Sequence, residues 1–135
     1  MGSVALSQDT VHSLFQNLEE GKTDDFFEHV AEDVEWTVMG THPLAGHYTS
    51  KKAFREATFA KLAPFFPQGL HLHIKEITIS GARAVVELQA SEHAKTGLQF
   101  DNTYCWIVDF KDSRIIRVRA YLDSALVAQL FKSMP

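Results

Sequence analysis

Glu87, Gln89 and Ser91 recur at every second residue of the stretch Arg83–His93. That spacing puts all three side chains on one face of an extended chain. A carboxylate in an apolar pocket has its pKa raised by desolvation, which suits it to general acid or base work. Glu87 is therefore the first candidate for proton transfer, with Gln89 and Ser91 as ligand contacts. Alternatively Glu87 pairs with an arginine such as Arg83, or a register one residue out puts it on the outer face of its strand. His42 and His47 sit in the loop after the first predicted strand. An imidazole there titrates near neutrality and can shuttle protons, or it bonds the turn's own backbone; His42 is the second catalytic candidate. His71 and His73 put two rings on one strand face, but no third ligand is identifiable, so neither a metal site nor a cofactor is predicted. Trp36, Tyr104 and Trp106 offer flat faces on which a polycyclic ligand can stack. Asn102, Tyr104 and Trp106 share one strand face. Lining a cavity, the Tyr104 hydroxyl and Asn102 amide would orient a ligand; on a convex face, the aromatics would form a dimer interface.

The elements that must position these residues are legible in the spacing. Ser7 or Asp9 caps a helix carrying Val11, Leu14, Phe15 and Leu18, ended by Gly21. Thr23 or Asp24 starts a shorter helix with Phe26, Phe27 and Val30. Val34 to Met39 alternates as a strand, followed by a loop from Gly40 to Gly46. Ser50 caps a third helix that turns Ala53, Phe54, Ala57 and Leu62 inward and stops at Pro64 and Pro67. Four strands follow, over Leu70–Ser80, Arg83–His93, Phe100–Phe110 and Arg114–Asp123, joined by short turns. Asp123 or Ser124 then caps a last helix. Short turns require antiparallel pairing, and helices segregated from a meander give an α+β domain. Two final strands of such length need a sheet that curves around a cavity.

Bulk properties narrow the function. The chain's 135 residues make one domain, 1–135, with a single core. A formal net charge of −4 argues against nucleic-acid and anionic-membrane surfaces. No apolar run approaches the roughly 20 residues of a spanning helix, and no signal peptide precedes the first helix. Cys105, the single cysteine, excludes an internal disulfide and fits a reducing compartment. A cytoplasmic protein is expected.

The run from Gly21 to Trp36, the loop Gly40…Pro43-Leu44-Ala45-Gly46-His47-Tyr48, and the ending Phe100-x-Asn102-x-Tyr104…Arg114-Ile115…Arg119-x-Tyr121-x-Asp123 resemble the SnoaL-like branch of the NTF2-like superfamily. The resemblance covers nearly the whole chain. It implies a cone: a strongly curved, mainly antiparallel sheet around three N-terminal helices, with a short C-terminal helix. It also implies a pocket for a small hydrophobic or cyclic molecule, and a homodimer. Ketosteroid isomerases of this superfamily use a first-helix Tyr, an Asp ending the first strand and a second Asp on the penultimate strand. The matching positions here are Leu14, Val38 or Met39, and Cys105 or Trp106, so steroid isomerisation is not expected. The Arg-x-Asp and last-strand Asp of limonene epoxide hydrolases match Glu87, Gln89 and Ala120. The acid/base Asp of polyketide cyclases also falls at Ala120. The same alignment aims Glu87 into the cavity and places Trp36, Val38, Leu44, Ala120 and Leu122 along its wall. Two functions are implied: acid/base chemistry of isomerase, cyclase or hydrolase type, or a non-catalytic dimeric binding module.

Overall fold

A computed structural model describes residues 6–134. The expectations about the N-terminal leader and the outermost ends of the domain lie outside the described residues. Helix α1 (Gln8–Glu19) starts where Ser7 Oγ accepts the Thr10 N–H at 3.1 Å, and its inward stripe is Val11, Phe15 and Leu18. Next come α2 (Thr23–Phe27), β1 (Val30–Val38) and the short β2 (Gly46–Tyr48). The expected third helix is divided into α3 (Lys51–Ala57), capped by Ser50, and α4 (Phe59–Leu62). The break falls at Thr58, whose Oγ1 donates back to the Phe54 carbonyl at 2.7 Å. Such back-bonding competes with the regular helix ladder. A 3-10 turn, Ala63–Phe65, leads to β3 (His73–Ser80) and β4 (Arg83–Gln89). β5 (Glu92–His93) and β6 (Gln99–Phe100) pair in a small separate ribbon. β7 (Thr103–Lys111), β8 (Arg114–Leu122) and α5 (Ser124–Lys132) complete the chain, with Asp123 capping α5 through the Leu126 N–H.

The main sheet runs β2-β1-β8-β7-β4-β3, antiparallel except for the β1–β8 pair. The fold is the α+β cone expected. Register shifts at Val30/Glu35, Ile74/Glu76 and Asp109/Phe110 bend three strands in the manner of β-bulges. The helices fill the concave side: α1 lies along β3 and α3 along β1. The edge strand β3 is blunted by α1, because Gln8 Nε2 donates to the Ile77 carbonyl and Glu19 Oε2 accepts the Ile74 N–H, both at 2.9 Å.

The core is aromatic. Phe15, Phe26, Phe27, Trp36, Phe54 and Trp106 are all buried. Trp36 stacks on Phe54 at 3.9 Å between ring centres and meets Trp106 edge-on at 5.3 Å. Such pairs add about 0.5–1.5 kcal/mol each beyond area burial. Two sequence expectations shift. Val30 begins β1 rather than riding on a helix, and the long strand read over Arg83–His93 stops at Gln89, with Glu92 and His93 joining the small ribbon.

Candidate functional site

Strand parity decides which residues reach the interior. In β4, Ala84, Val86 and Leu88 are buried, whereas Arg83 and Glu87 are exposed and Gln89 is half-buried. The inward aim expected of Glu87 is therefore corrected. It lies on the outer face, opposite Glu76 of β3 and Cys105 of β7. Gln89 shares that face, and Ser91 is exposed beyond the end of the strand. The physical reason is a period of two: aligning the strand one residue out exchanges every inward side chain for an outward one. The alternating Ala84, Val86, Leu88 carried the true phase.

His42 is buried but committed to its own loop. Its Nε2–H donates to the Met39 carbonyl at 2.9 Å, and its Nδ1 accepts the Leu44 N–H at 3.2 Å. Both nitrogens are used, so neither is free to move a substrate proton. The loop is clasped further by Tyr48 Oη, which donates to the Leu44 carbonyl at 2.9 Å. Gly40 has φ +112°, and a Cβ there would lie 2.2 Å from Ser124 Oγ, so only glycine fits between the end of β1 and α5. The result is that Leu44 is held inward, buried, at the mouth of the cone. His71 precedes β3, which begins at His73, and pairs with Glu92 at 2.7 Å. Among the described residues no three His, Cys, Asp or Glu side chains group as metal ligands.

Of the other expected residues, all but Asn102 meet at one place. Val38, Ala120 and Trp106 form one inner row across β1, β8 and β7, and Leu122 and Tyr104 form the next. Ala120 is the smallest side chain in this row, flanked by the much larger Trp106. Over it opens a cleft of about 50 Å³ lined by Trp36, Val38, Leu44, Tyr104, Ala120 and Leu122, with Phe54, Thr58, Phe59, Trp106 and Val127 among its other walls. Phe54 was legible in the helical period. Thr58 and Phe59 were not singled out, because nothing local distinguishes a wall residue from ordinary core. Larger hollows, of about 380 and 510 Å³, lie beside α4 and α1, the first sharing Phe59, Leu62 and Leu70 with the cleft. Neither includes any of the residues expected at the site.

The cleft's polar groups are few. Burial pushes the Tyr104 phenol well above its usual range, and the adjacent Asn102 side chain offsets only part of that rise. Tyr104 is thus a protonated hydroxyl across the physiological range, fit to donate rather than to act as a base. Asn102 is wholly buried, and its Oδ1 accepts the Asp123 N–H at 3.0 Å. Asn102 Nδ2 and Trp36 Nε1 are both buried with no hydrogen-bond partner among the described residues. Most buried polar groups are paired, so these two donors require an explanation; of the two residues, Trp36 lines the cleft and Asn102 does not.

The sequence matches the profile of the SnoaL-like domain over residues 11–118. The chain belongs to that family. The curated "Dimerizing cyclase phiC" of Fungal sp. (strain ATCC 74256) is 27% identical over 127 residues, covering 90% of this chain and 55% of that protein. The SnoaL-like chain therefore spans about half the length of this relative. An NTF2-like protein from Burkholderia thailandensis E264 superposes with a TM-score of 0.77 at 20% identity, covering 91% of this chain and 95% of the other. TerC, crystallised with polyporic acid, superposes at 0.72 with 16% identity, covering 92% and 96%. At such identities the structural likenesses establish the shared NTF2-like fold.

Proposed function

We propose that this SnoaL-like domain binds a small, largely apolar cyclic molecule in the cleft over Ala120 and orients it for chemistry of cyclase or isomerase type. The observation that carries the reading is the composition of the cleft: apolar walls from three strands and the helices, interrupted by one protonated phenol, Tyr104. Such a site suits a ligand pocket, in which apolar surface supplies affinity and a few polar groups fix orientation. Glu87 and His42 are not available as its acid and base. The proton chemistry proposed is donation from Tyr104 to an oxygen on the ligand. A volume of about 50 Å³ is less than the share of two liquid waters, roughly 30 Å³ each. Admission of a ring therefore requires the rim, Leu44 and Leu122 foremost, to move outward. The cyclase name of the phiC relative and the compound crystallised with TerC support a ligand-holding role.

The test is a thermal-shift screen with aromatic ketones and phenols, alongside mass spectrometry of whatever co-purifies. A ligand of the native state raises Tm, and Ala120→Leu, which fills the cleft floor, is expected to abolish the rise. No shift with any such compound, or an unchanged shift in Ala120→Leu, contradicts the proposal.

A second reading, a non-catalytic dimeric binding module, is favoured by Ala120 itself, where related polyketide cyclases carry their acid/base Asp. We propose a homodimer through the outer sheet face in either case. Exposed Glu76 and Glu87 lie on one side of β7, and Arg117 and Arg119 lie on the other. A two-fold axis on β7 lays acid over base, with Tyr121, 43% exposed, on β8 beyond Arg119. Sedimentation as a monomer at micromolar concentration would rule this out. The proposed location is the cytoplasm, where a free thiol such as Cys105 persists; no described helix is long and apolar enough to cross a membrane.

A further inference from the structure

We infer that the hollow of about 380 Å³ beside α4 is a second binding site, and that it takes a small aromatic carboxylate whose anionic group pairs with Arg55. The inference is independent of the cleft and of any ligand held there. The hollow exists because the chain around it is irregular. α4 is a single turn, cut off from α3 at Thr58, where φ −123° and ψ −79° leave the helical region. Pro64 and Pro67 follow and prevent a regular helix from resuming. Gly69, at φ +91° with its N–H bonded to the Phe66 carbonyl at 2.8 Å, then turns the chain. Phe59, Ala60, Leu62 and Ala63 from the α4 segment, with Phe66 and Leu70 from the turn, line the space between. Phe59 and Leu70 are only half-buried, and Ala60 and Ala63 are exposed. Apolar surface grouped around a concave opening marks a binding surface. The volume falls within the roughly 300–1,000 Å³ of small-molecule sites.

Charge decides the occupant. Arg55 is a wall of this hollow, and its guanidinium lies over the Phe27 ring, 4.5 Å from the centroid. That contact holds the planar group in place, so less freedom is lost when an anion binds it. Its partner in the protein is Asp24, 2.7 Å from Nη2, whose side chain is 90% exposed and does not line the hollow. An ion pair so open to water is weak, and it engages one nitrogen of a fork suited to bidentate carboxylate binding. Glu56, the other charged wall residue, is mostly exposed and lies 4.0 Å from Lys52. Arg55 is thus the wall residue that meets an anion, and Thr23, next to Asp24 in sequence, adds a hydroxyl. A flat apolar body carrying a carboxylate satisfies both requirements, with its ring along Phe59, Phe66 and Leu70. A neutral compound of the same shape forgoes the charge. The hollow and the cleft are separated by one layer, Phe59, Leu62 and Leu70, which lines both. Ala120 belongs to the cleft alone.

The experiment compares naphthalene-2-acetate with naphthalene-2-acetamide, matched in shape and differing in charge at neutral pH. Titration of the full chain followed by NMR should show the acid binding about three- to fivefold more tightly, the range a partly exposed ion pair supplies. The Ala60 and Ala63 methyl resonances should move with both probes, and the Arg55 Nε–H resonance with the acid alone. Raising the ionic strength to about 1 M, where the Debye length is about 3 Å, should close the gap. Arg55→Gln should equalise the two probes, and Glu56→Gln should widen their difference by removing a repelling charge. Ala120→Leu should leave both affinities unchanged, because it fills the cleft and not the hollow. Equal affinity in the native protein, or binding of neither probe at millimolar concentration, overturns the inference and leaves the cleft reading standing. Loss of the acid in Ala120→Leu, with the Trp36 indole resonance shifting in place of the Ala60 and Ala63 methyls, also overturns it and assigns the carboxylate to the cleft. The native-protein ratio and the methyl shifts need no variant, so they decide even where a variant fails to fold.

Discussion

The two faces of the sheet are made from the same strands and behave oppositely. On the outer face the polar groups find each other. Asp109 accepts from Arg83 Nε at 2.6 Å and lies 3.6 Å from Arg117, which also reaches Glu35. His47 Nδ1 bonds Thr37 Oγ1 at 2.7 Å. The inner face carries few polar groups, and two of its donors find no partner among the described residues. Residue types that suggest chemistry, Glu87, Cys105 and His47, lie on the face where water and neighbours already satisfy them. The contrast teaches that an unmet hydrogen-bonding need in a dry cleft locates a site better than the presence of a titratable side chain does.

The contrast can be broken in order of expected effect. Trp36→Ala removes the centre of the aromatic core and its stack on Phe54. A loss of about 3–5 kcal/mol is expected in urea unfolding, a large share of the 5–15 kcal/mol typical of a domain. Next, Ala120→Leu should cost the ligand-induced rise in Tm while leaving the unliganded protein folded, since the space it fills is already present as the cleft. On the outer face, Asp109→Asn should cost no more than about 1 kcal/mol, because its partner Arg83 is 44% exposed and solvent screens the pair.

That last effect has a definite sign with pH. The Arg83 hydrogen bond holds the Asp109 carboxyl below its usual range, against a smaller push from burial. The stabilisation is therefore complete above the unfolded carboxyl pKa of about 3.9 and fades as pH falls below it. Acid denaturation of the native protein and of Asp109→Asn should converge there. Tyr104 runs the other way. Its raised pKa favours the protonated native form, so stability declines as pH climbs above the unfolded value of about 10. A late-titrating phenol should be visible at 295 nm and disappear in Tyr104→Phe.

The smallest effect sharpens the assignment of faces. Burial first, and then the Glu87 carboxylate, raise the Cys105 thiol. Glu87→Gln should leave stability within about 0.5 kcal/mol and modestly speed alkylation of Cys105. An unchanged alkylation rate would separate the two residues and question the register Glu87↔Cys105.

Much of this was legible in the sequence. The helix cap at Ser50 lies where residue type placed it, and those at Ser7 and Asp123 fall on one of the two positions residue type offered, Ser7 or Asp9 and Asp123 or Ser124. The hairpin turn between β7 and β8 has positive φ at Asp112 and Ser113. Of the residues expected around the pocket, Trp36, Val38, Leu44, Tyr104, Ala120 and Leu122 meet at one cleft. Glu87 did not follow, because an alignment without gaps must cross the irregular stretch between β4 and β7, where the small ribbon inserts. One residue of slip there reverses the face. The commitment of His42 to its own loop, and the orphaned proton of Trp36, depend on contacts between chain segments that no local pattern encodes.

The most direct test is a crystal structure with 1-tetralone bound. Electron density for the ring over Ala120, with its oxygen within hydrogen-bond distance of Tyr104 Oη or Trp36 Nε1, is the outcome expected. Density on the outer face against Glu87, Gln89 and Cys105, with the cleft unchanged, would contradict the assignment of the site to the interior.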